Sequence, residues 1–381
     1  MSDAVKARVT HPEKAHNAAL DGVRGIAILL VLLHHWGVPL PTGSRLYGPM
    51  LMVAESCWLG VDLFFVLSGF LITGILADTV GTPGFLKNFY ARRFLRIFPL
   101  YYGVIAVLLL LTPVAHFVWG AMLPMLLLYL QNTGIAVPLD QYRLGYAVNL
   151  NPYWSLAVEE QFYLVWPLLV FFLRDVKRLT QIALGLSVAA LLLRIVLVHM
   201  GVSPWFVYSF TACRADALLL GGALALLLRS ERLGVRSATV RWAPWIGGCA
   251  ALLLVPIAIQ LRGLNWQGSP LLLTVGLTLI AVASCGVVAW TQRQGSGRML
   301  RNPVLRFFGR YSYGIYMLHL LCFRALYKWI EEWMLAVITR AQVAAALSWL
   351  LAAGVVIGVA VLSFKFYETP FLKLKRHFAY R

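Results

Sequence analysis

The sequence predicts an all-α protein, a polytopic transmembrane helical bundle of about ten spans with one re-entrant or partial segment. Three observations predict it. Apolar residues make up 60% of the 381 positions and charged residues 13%, against ~25% charged in a soluble domain. Apolar runs of ~17–25 residues recur from end to end. The net charge of +18 gathers in short segments between those runs. That is the positive-inside pattern, which orients spans and meets anionic headgroups. It excludes a nucleic-acid surface, and the loops leave no room for a soluble domain. Residues 1–381 therefore read as a single transmembrane domain.

The elements follow in chain order. Residues 1–20 are a polar tail with Lys6, Arg8 and Lys14. The run behind it is too long for a signal-peptide core and shows no small-residue cleavage site. It reads as a retained first span with a cytoplasmic N-terminus. Spans are expected at 22–40, 57–77, 97–113, 154–173, 180–199, 206–228, 243–260, 270–290, 312–329 and 342–364. The apolar stretch 114–130 is settled by parity. The segments 78–96 (Lys87, Arg92, Arg93, Arg96) and 174–178 (Arg174, Lys177, Arg178) are both basic, so both are expected inside. Spans 97–113 and 154–173 already supply two crossings between them. The stretch 114–130, bracketed by Pro113 and Pro124, then cannot cross. Arg229, Arg232, Arg236 and Arg241 mark another inner loop, as do Arg293, Arg298, Arg301, Arg306 and Arg310. The basic tail 366–381 is also expected to be cytoplasmic. The five cysteines, Cys57, Cys213, Cys249, Cys285 and Cys322, lack metal or redox spacing.

Chemistry is expected where ionisable groups enter the spans, because such groups are costly in lipid and face the bundle interior or a cavity. Span 1 carries Arg24 near its start and His34-His35 far along it. His35 is about 14 residues from Asp21, or ~21 Å, in the outer half of a ~30 Å core. Asp62 begins the second span from the outer side, and Glu159 and Glu160 lie just below the outer end of the fourth. A histidine polarised by a carboxylate can take a proton from a hydroxyl nucleophile. Adjacent glutamates stand ~100° apart on a helix, so they cannot share one site; Glu160 is slightly favoured. Asp62 has an alternative as a helix N-terminal carboxylate.

On the inner side Arg92, Arg93 and Arg96 enter one helix, with Arg92 and Arg96 on one face at i, i+4. Arginine clusters suit phosphates; headgroup anchoring is the plainer use. Arg214 and Asp216 lie inside a span, and Ser312, Tyr313 and His319 open another from the inner side. No phosphate loop, dinucleotide fingerprint or His-Glu-x-x-His zinc signature is present, so no metal is expected. Ser68 lacks a nucleophile-elbow context and reads as packing.

These residues resemble the integral-membrane acyltransferase family 3. Arg24 and His35 match that family's Arg-x10-His motif, and Gly60-Val61-Asp62-Leu63-Phe64-Phe65 its second-span signature. Trp154-Ser155-Leu156 followed by Glu159, Phe162 and Tyr163 matches a third motif. Arg214-Ala215-Asp216, Ser312-Tyr313-Gly314 with His319, and Glu368-Thr369-Pro370 follow in order. The resemblance spans nearly the whole chain.

It implies an acyltransferase that takes an acyl group, chiefly acetyl, from cytoplasmic acyl-CoA. The acceptor is a hydroxyl of an extracytoplasmic carbohydrate, glycolipid or similar molecule. Acyl-CoA (acetyl-CoA) is a co-substrate, with no tightly bound cofactor. His35 takes the family's catalytic position as base or acyl relay, with Glu159, Glu160 and Asp62 as carboxylate candidates. Arg24, Arg92, Arg93 and Arg96, with Arg214, Asp216, Ser312 and Tyr313, are the donor-binding candidates. The expected location is the bacterial inner membrane, among membrane lipids. Some members of that family carry a fused periplasmic esterase-like domain; none is expected here after the last span, and the chain is expected to act alone, as a homo-oligomer, or with a separate periplasmic partner. The competing reading is a proton-coupled transporter or flippase for a surface glycan, which the same buried charges would suit.

Overall fold

The computed structural model describes residues 17–37, 45–138, 141–145, 148–230, 234–293, 295, 297–321 and 323–380. The N-terminal basic residues, Arg232, Cys322 and residues 38–40 of the expected first span lie outside them. The first helix, α1 (Ala18–Trp36), starts at Asn17, whose side chain accepts from the Ala19 amide at 3.1 Å; this satisfies one of the amides that every helix start exposes. A short helix, α2 (Tyr47–Ser56), turns into α3 (Leu59–Thr79). The next helix, α4 (Phe85–Ala115), has 31 residues and contains Pro99 and Pro113. It begins well before the expected 97, so the three arginines belong to its first turns.

The stretch 114–130 does not cross. The chain turns at His116 (φ 52) and Gly120 (φ 47), and α5 (Met122–Leu127) has six residues. Six residues rise ~9 Å, far short of a ~30 Å core. The helix lies back on α4, where the Tyr101 and Tyr102 hydroxyls donate to the Leu126 and Leu127 carbonyls, both at 2.8 Å. A two-residue antiparallel pair, β1 (Arg143–Leu144) and β2 (Val148–Asn149), leads into α6 (Trp154–Leu173). Then come α7 (Val176–His199), α8 (Pro204–Ser209), α9 (Thr211–Leu227) and α10 (Val235–Gln260). A π turn at Leu272–Gly276 opens α11 (Leu277–Trp290).

The expected span 312–329 is two elements. Asn302 caps α12 (Pro303–Leu318), its side chain accepting from the Val304 amide at 2.8 Å. The chain breaks near His319, and the amphipathic α13 (Phe323–Val337) follows. The last span, α14 (Ala341–Leu362), runs through a π segment (Ser363–Glu368) into α15 (Thr369–Lys373). Among the described residues nine helices are long and apolar enough to cross a membrane; α12, with 16 residues, is not one of them.

The arrangement is a buried centre with a lipid-facing rim. The most apolar window of the α2–α3 unit is 72% buried, and those of α7 and α10 only 22% and 17%. Close packing at the centre uses small residues, as expected where helices meet in lipid. A Cβ on Gly309 of α12 would lie 1.9 Å from the Asp21 carbonyl oxygen of α1, and one on Gly221 of α9 would lie 2.0 Å from that of Val66 on α3. The basic ends collect on one face. Arg229 makes a two-pronged contact with Asp78 at 2.8 and 2.9 Å, and Arg92 donates to the Lys375 carbonyl at 3.2 Å.

Candidate active site

Two cavities lie one behind the other through the centre. On the basic face a small one of about 110 Å³ is enclosed by α1, α3, α4, α6 and α12. Arg24, Arg93 and Arg96 line it, with Glu159 and Ser68 facing them. The Ser68 hydroxyl donates to Glu159 Oε1 at 2.5 Å. Arg93 lies over the Tyr163 ring at 5.5 Å and Arg96 over Tyr313 at 5.7 Å, a cation–π arrangement that orders both guanidinium groups. Tyr313 donates to the Ile97 carbonyl at 2.6 Å, and Ser312 donates to that of Gly309 at 2.9 Å.

A wider cavity of about 330 Å³ opens on the opposite face. His34 and His35 line it, among aromatic walls that include Trp154, Tyr208 and Trp266. Amide and charged side chains, Asn149, Asn265, Gln267, Glu55 and Arg143, complete the lining. Val61 and Tyr316 line both cavities. The two spaces are therefore separated by one layer of side chains, in which Tyr316 is fixed by hydrogen bonds to Pro152 O at 3.0 Å and Ser155 Oγ at 2.6 Å.

The half-buried His35 ring is held in one tautomer. Its Nδ1 lies 3.0 Å from the Val31 carbonyl and 3.1 Å from His319 Nε2. A carbonyl only accepts, so Nδ1 carries the proton. His319 Nδ1 in turn donates to the Tyr316 carbonyl at 2.6 Å, which leaves its Nε2 as an acceptor. His35 Nε2 thus keeps its lone pair. That is the arrangement a base needs, with a second imidazole ready to steady the charge after protonation. His34 points elsewhere, its Nδ1 donating to the Ala54 carbonyl at 3.1 Å.

Several expected site residues sit differently. Glu159, not Glu160, lines the basic cavity with Arg24, Arg93 and Arg96; Glu160 turns to the flank of the bundle, because consecutive helical positions diverge. Arg92 does not line the basic cavity. It is turned to the C-terminal segment, where it also lies 5.6 Å from the Tyr380 ring; the i, i+3 pair Arg93 and Arg96 faces inward instead. Asp62, Arg214 and Asp216 are sealed in the core, each at most 1% exposed. Arg214 pairs with Asp62 at 2.8 Å, packed against Tyr208 and Phe65, and Asp216 pairs with Arg194 at 2.7 Å. Neither pair lines either cavity. Burial among α3, α7, α9 and α11 makes them structural ion pairs, with Thr278 of α11 donating to Asp216 at 3.0 Å. Ser312 and Tyr313 do line the basic cavity.

Sequence reasoning missed Arg194, although an arginine in the middle of an apolar span is itself a signal. It placed His319 at the inner end of its helix, because α12 was expected to begin at 312 rather than 303. Ser68 is not simply a packing residue, since it bonds Glu159 of α6, 91 residues away, a pairing that no local sequence signal carries.

A family model described as an acyltransferase domain matches residues 17–366. The chain belongs to this acyltransferase family. Its relatives include the peptidoglycan O-acetyltransferase OatA of Listeria monocytogenes, 29% identical over 96% of this chain and 57% of that protein. The putative peptidoglycan O-acetyltransferase YrhL of Bacillus subtilis is 29% identical over 79% and 47%. A putative O-acetyltransferase of Staphylococcus aureus strain COL is 28% identical over 93% and 57%. The acyltransferase-family chain thus spans about half the length of the curated relatives it matches. No solved structure matches it.

Proposed function

We propose that the protein is a membrane O-acyltransferase that moves an acyl group, chiefly acetyl, from acyl-CoA to a hydroxyl of an extracytoplasmic carbohydrate. The observation that carries this reading is the pair of cavities meeting at Val61 and Tyr316, with arginines on one side and His35 on the other. Arg24, Arg93 and Arg96 hold the donor's phosphates on the basic, cytoplasmic face. The acyl-bearing arm reaches the layer at Tyr316. The aromatic and amide walls of the outer cavity suit a sugar ring, whose faces are apolar and whose edges donate and accept hydrogen bonds. The names of the relatives point to a peptidoglycan-type glycan as acceptor.

In the simplest sequence His35 Nε2 takes the proton of the acceptor hydroxyl as its oxygen attacks the thioester carbonyl. The C–O bond forms, the C–S bond breaks, and the proton passes to the departing thiolate. The acyl-relay alternative uses the same Nε2 lone pair as nucleophile, with the acceptor attacking afterwards. Either route gives one ester and one free thiol.

The test is transfer of labelled acetyl from acetyl-CoA by purified protein in lipid vesicles with a soluble glycan acceptor. Wild type is expected to acetylate the glycan and His35→Ala to do so at background level. Full transfer by a folded His35→Ala protein removes His35 from the chemistry. Movement of unmodified glycan across the bilayer with no acetyl transfer favours the carrier reading instead.

A further inference from the structure

A third and larger cavity opens on the flank of the bundle. It measures about 540 Å³ and lies between α4 and α6, with the turn after α5 beside it. Its rim carries Phe94, Leu128 and Leu164, which are 53%, 64% and 62% exposed. Such side chains are at home against lipid, not water. It shares only Arg93 and Tyr163 with the basic cavity.

Two polar atoms in this lining have no hydrogen-bond partner among the described residues, the Tyr129 hydroxyl and Glu160 Oε1. Both atoms are buried, and Tyr129 as a whole is 6% exposed. An unpaired buried polar atom costs ~1–3 kcal/mol, so these two ask for a ligand. Tyr129 is also held in place. Its ring stacks on Tyr101 at 4.3 Å and Phe98 at 5.7 Å, and its carbonyl accepts from Gln161 Nε2 at 2.8 Å. Its backbone has φ 53, a left-handed conformation that bulky residues seldom adopt.

We propose that this flank cavity binds a membrane-borne alcohol, an alkyl chain carrying a free hydroxyl. The chain lies along Phe94, Phe98 and Leu128, and the hydroxyl sits between Tyr129 and Glu160. A hydroxyl answers both orphan atoms at once, accepting from the phenol and donating to the carboxyl oxygen. An ester carbonyl only accepts and leaves Glu160 unpaired. The site does not depend on the proposed acyl transfer, and its test reads binding alone.

The test uses the full chain in lipid nanodiscs and a long-chain primary alcohol bearing an alkyl diazirine. After illumination, labelled peptides are mapped by mass spectrometry. Label is expected on the facing walls of α4 and α6, and on the segment holding Leu128 and Tyr129. The unlabelled alcohol should compete and the methyl ether of the same chain should compete several-fold more weakly, because an ether cannot donate. Tyr129→Phe is expected to weaken competition by the alcohol about 3–10-fold, the size of one net hydrogen bond. Leu128→Trp, at an exposed rim position, is expected to lower labelling by crowding the entrance. Equal competition by the ether, label elsewhere on the protein, or unchanged binding in both variants overturns the proposal. Thermal unfolding of Tyr129→Phe without the alcohol is expected to be unchanged or higher; a lower value shows that the hydroxyl serves the fold, and also overturns it.

Discussion

His35 and His319 form a chain of two imidazoles ending on a carbonyl, and the order of donors along it is fixed by that carbonyl. Replacing His319 with Phe removes the acceptor that steadies the protonated His35. Turnover is expected to fall about 10²-fold or more, in the range of acid–base contributions, with donor affinity unchanged. His319→Gln offers an amide oxygen to the same Nδ1–H and is expected to recover part of the loss. An equal loss in both variants, or a matching loss of donor affinity, would assign His319 to packing. The three neighbouring arginines separate in the same way. Arg93→Gln or Arg96→Gln is expected to weaken acyl-CoA binding in equilibrium titration, about tenfold if each contributes one charge-assisted hydrogen bond of ~1.5 kcal/mol. Arg92→Gln, bonded to the C-terminal segment, should leave it unchanged. Similar effects at all three positions would contradict the assignment by facing.

The helices explain why those residues meet. Gly309 lets α12 lie against α1 closely enough for His319 to reach His35. Gly309→Ala places a Cβ 1.9 Å from the Asp21 carbonyl oxygen, and backbone cannot yield as a side chain can. Overpacking of this kind costs ~1–3 kcal/mol. The substitution is expected to lower thermal stability and to loosen the histidine pair together; unchanged melting would show that the helices tolerate a wider spacing. The second element-level contact is ionic. Asp62 on α3 and Arg214 on α9 are both buried, and removing one partner of such a pair costs ~3–5 kcal/mol. Asp62→Ala should therefore reduce folded yield sharply, while Asp62→Ala with Arg214→Leu recovers part of it. A double variant no better than the single one contradicts a pairing role.

Across the whole molecule, the parts legible in sequence were those with a local signature. Hydropathy located the spans, and charge parity showed that 114–130 cannot cross. That His35 stands at the far end of α1 from Arg24 followed from a residue count along one helix. What sequence did not show was rotation about each helix axis and the pairing of helices distant in the chain. Glu159 and Glu160 differ by one position, and only the placement of α4 and α12 beside α6 decides which carboxylate meets the arginines. Asp62 and Arg214 are 152 residues apart, so neither announced that the other would neutralise it. The boundary of α12 was missed because its first half is basic and only moderately apolar, and that error carried His319 to the wrong end. The bundle that results has a basic cavity, a single dividing layer and an aromatic cavity on the far side.

The most direct measurement places acetyl-CoA on one side of a sealed vesicle and a soluble glycan acceptor on the other, with protein reconstituted in one orientation. Acetyl should cross to the glycan when the donor faces Arg24, Arg93 and Arg96, and not when the two solutions are exchanged. Transfer of equal rate from both sides, or transfer only when donor and glycan share a compartment, contradicts a thioester passed between back-to-back cavities to His35.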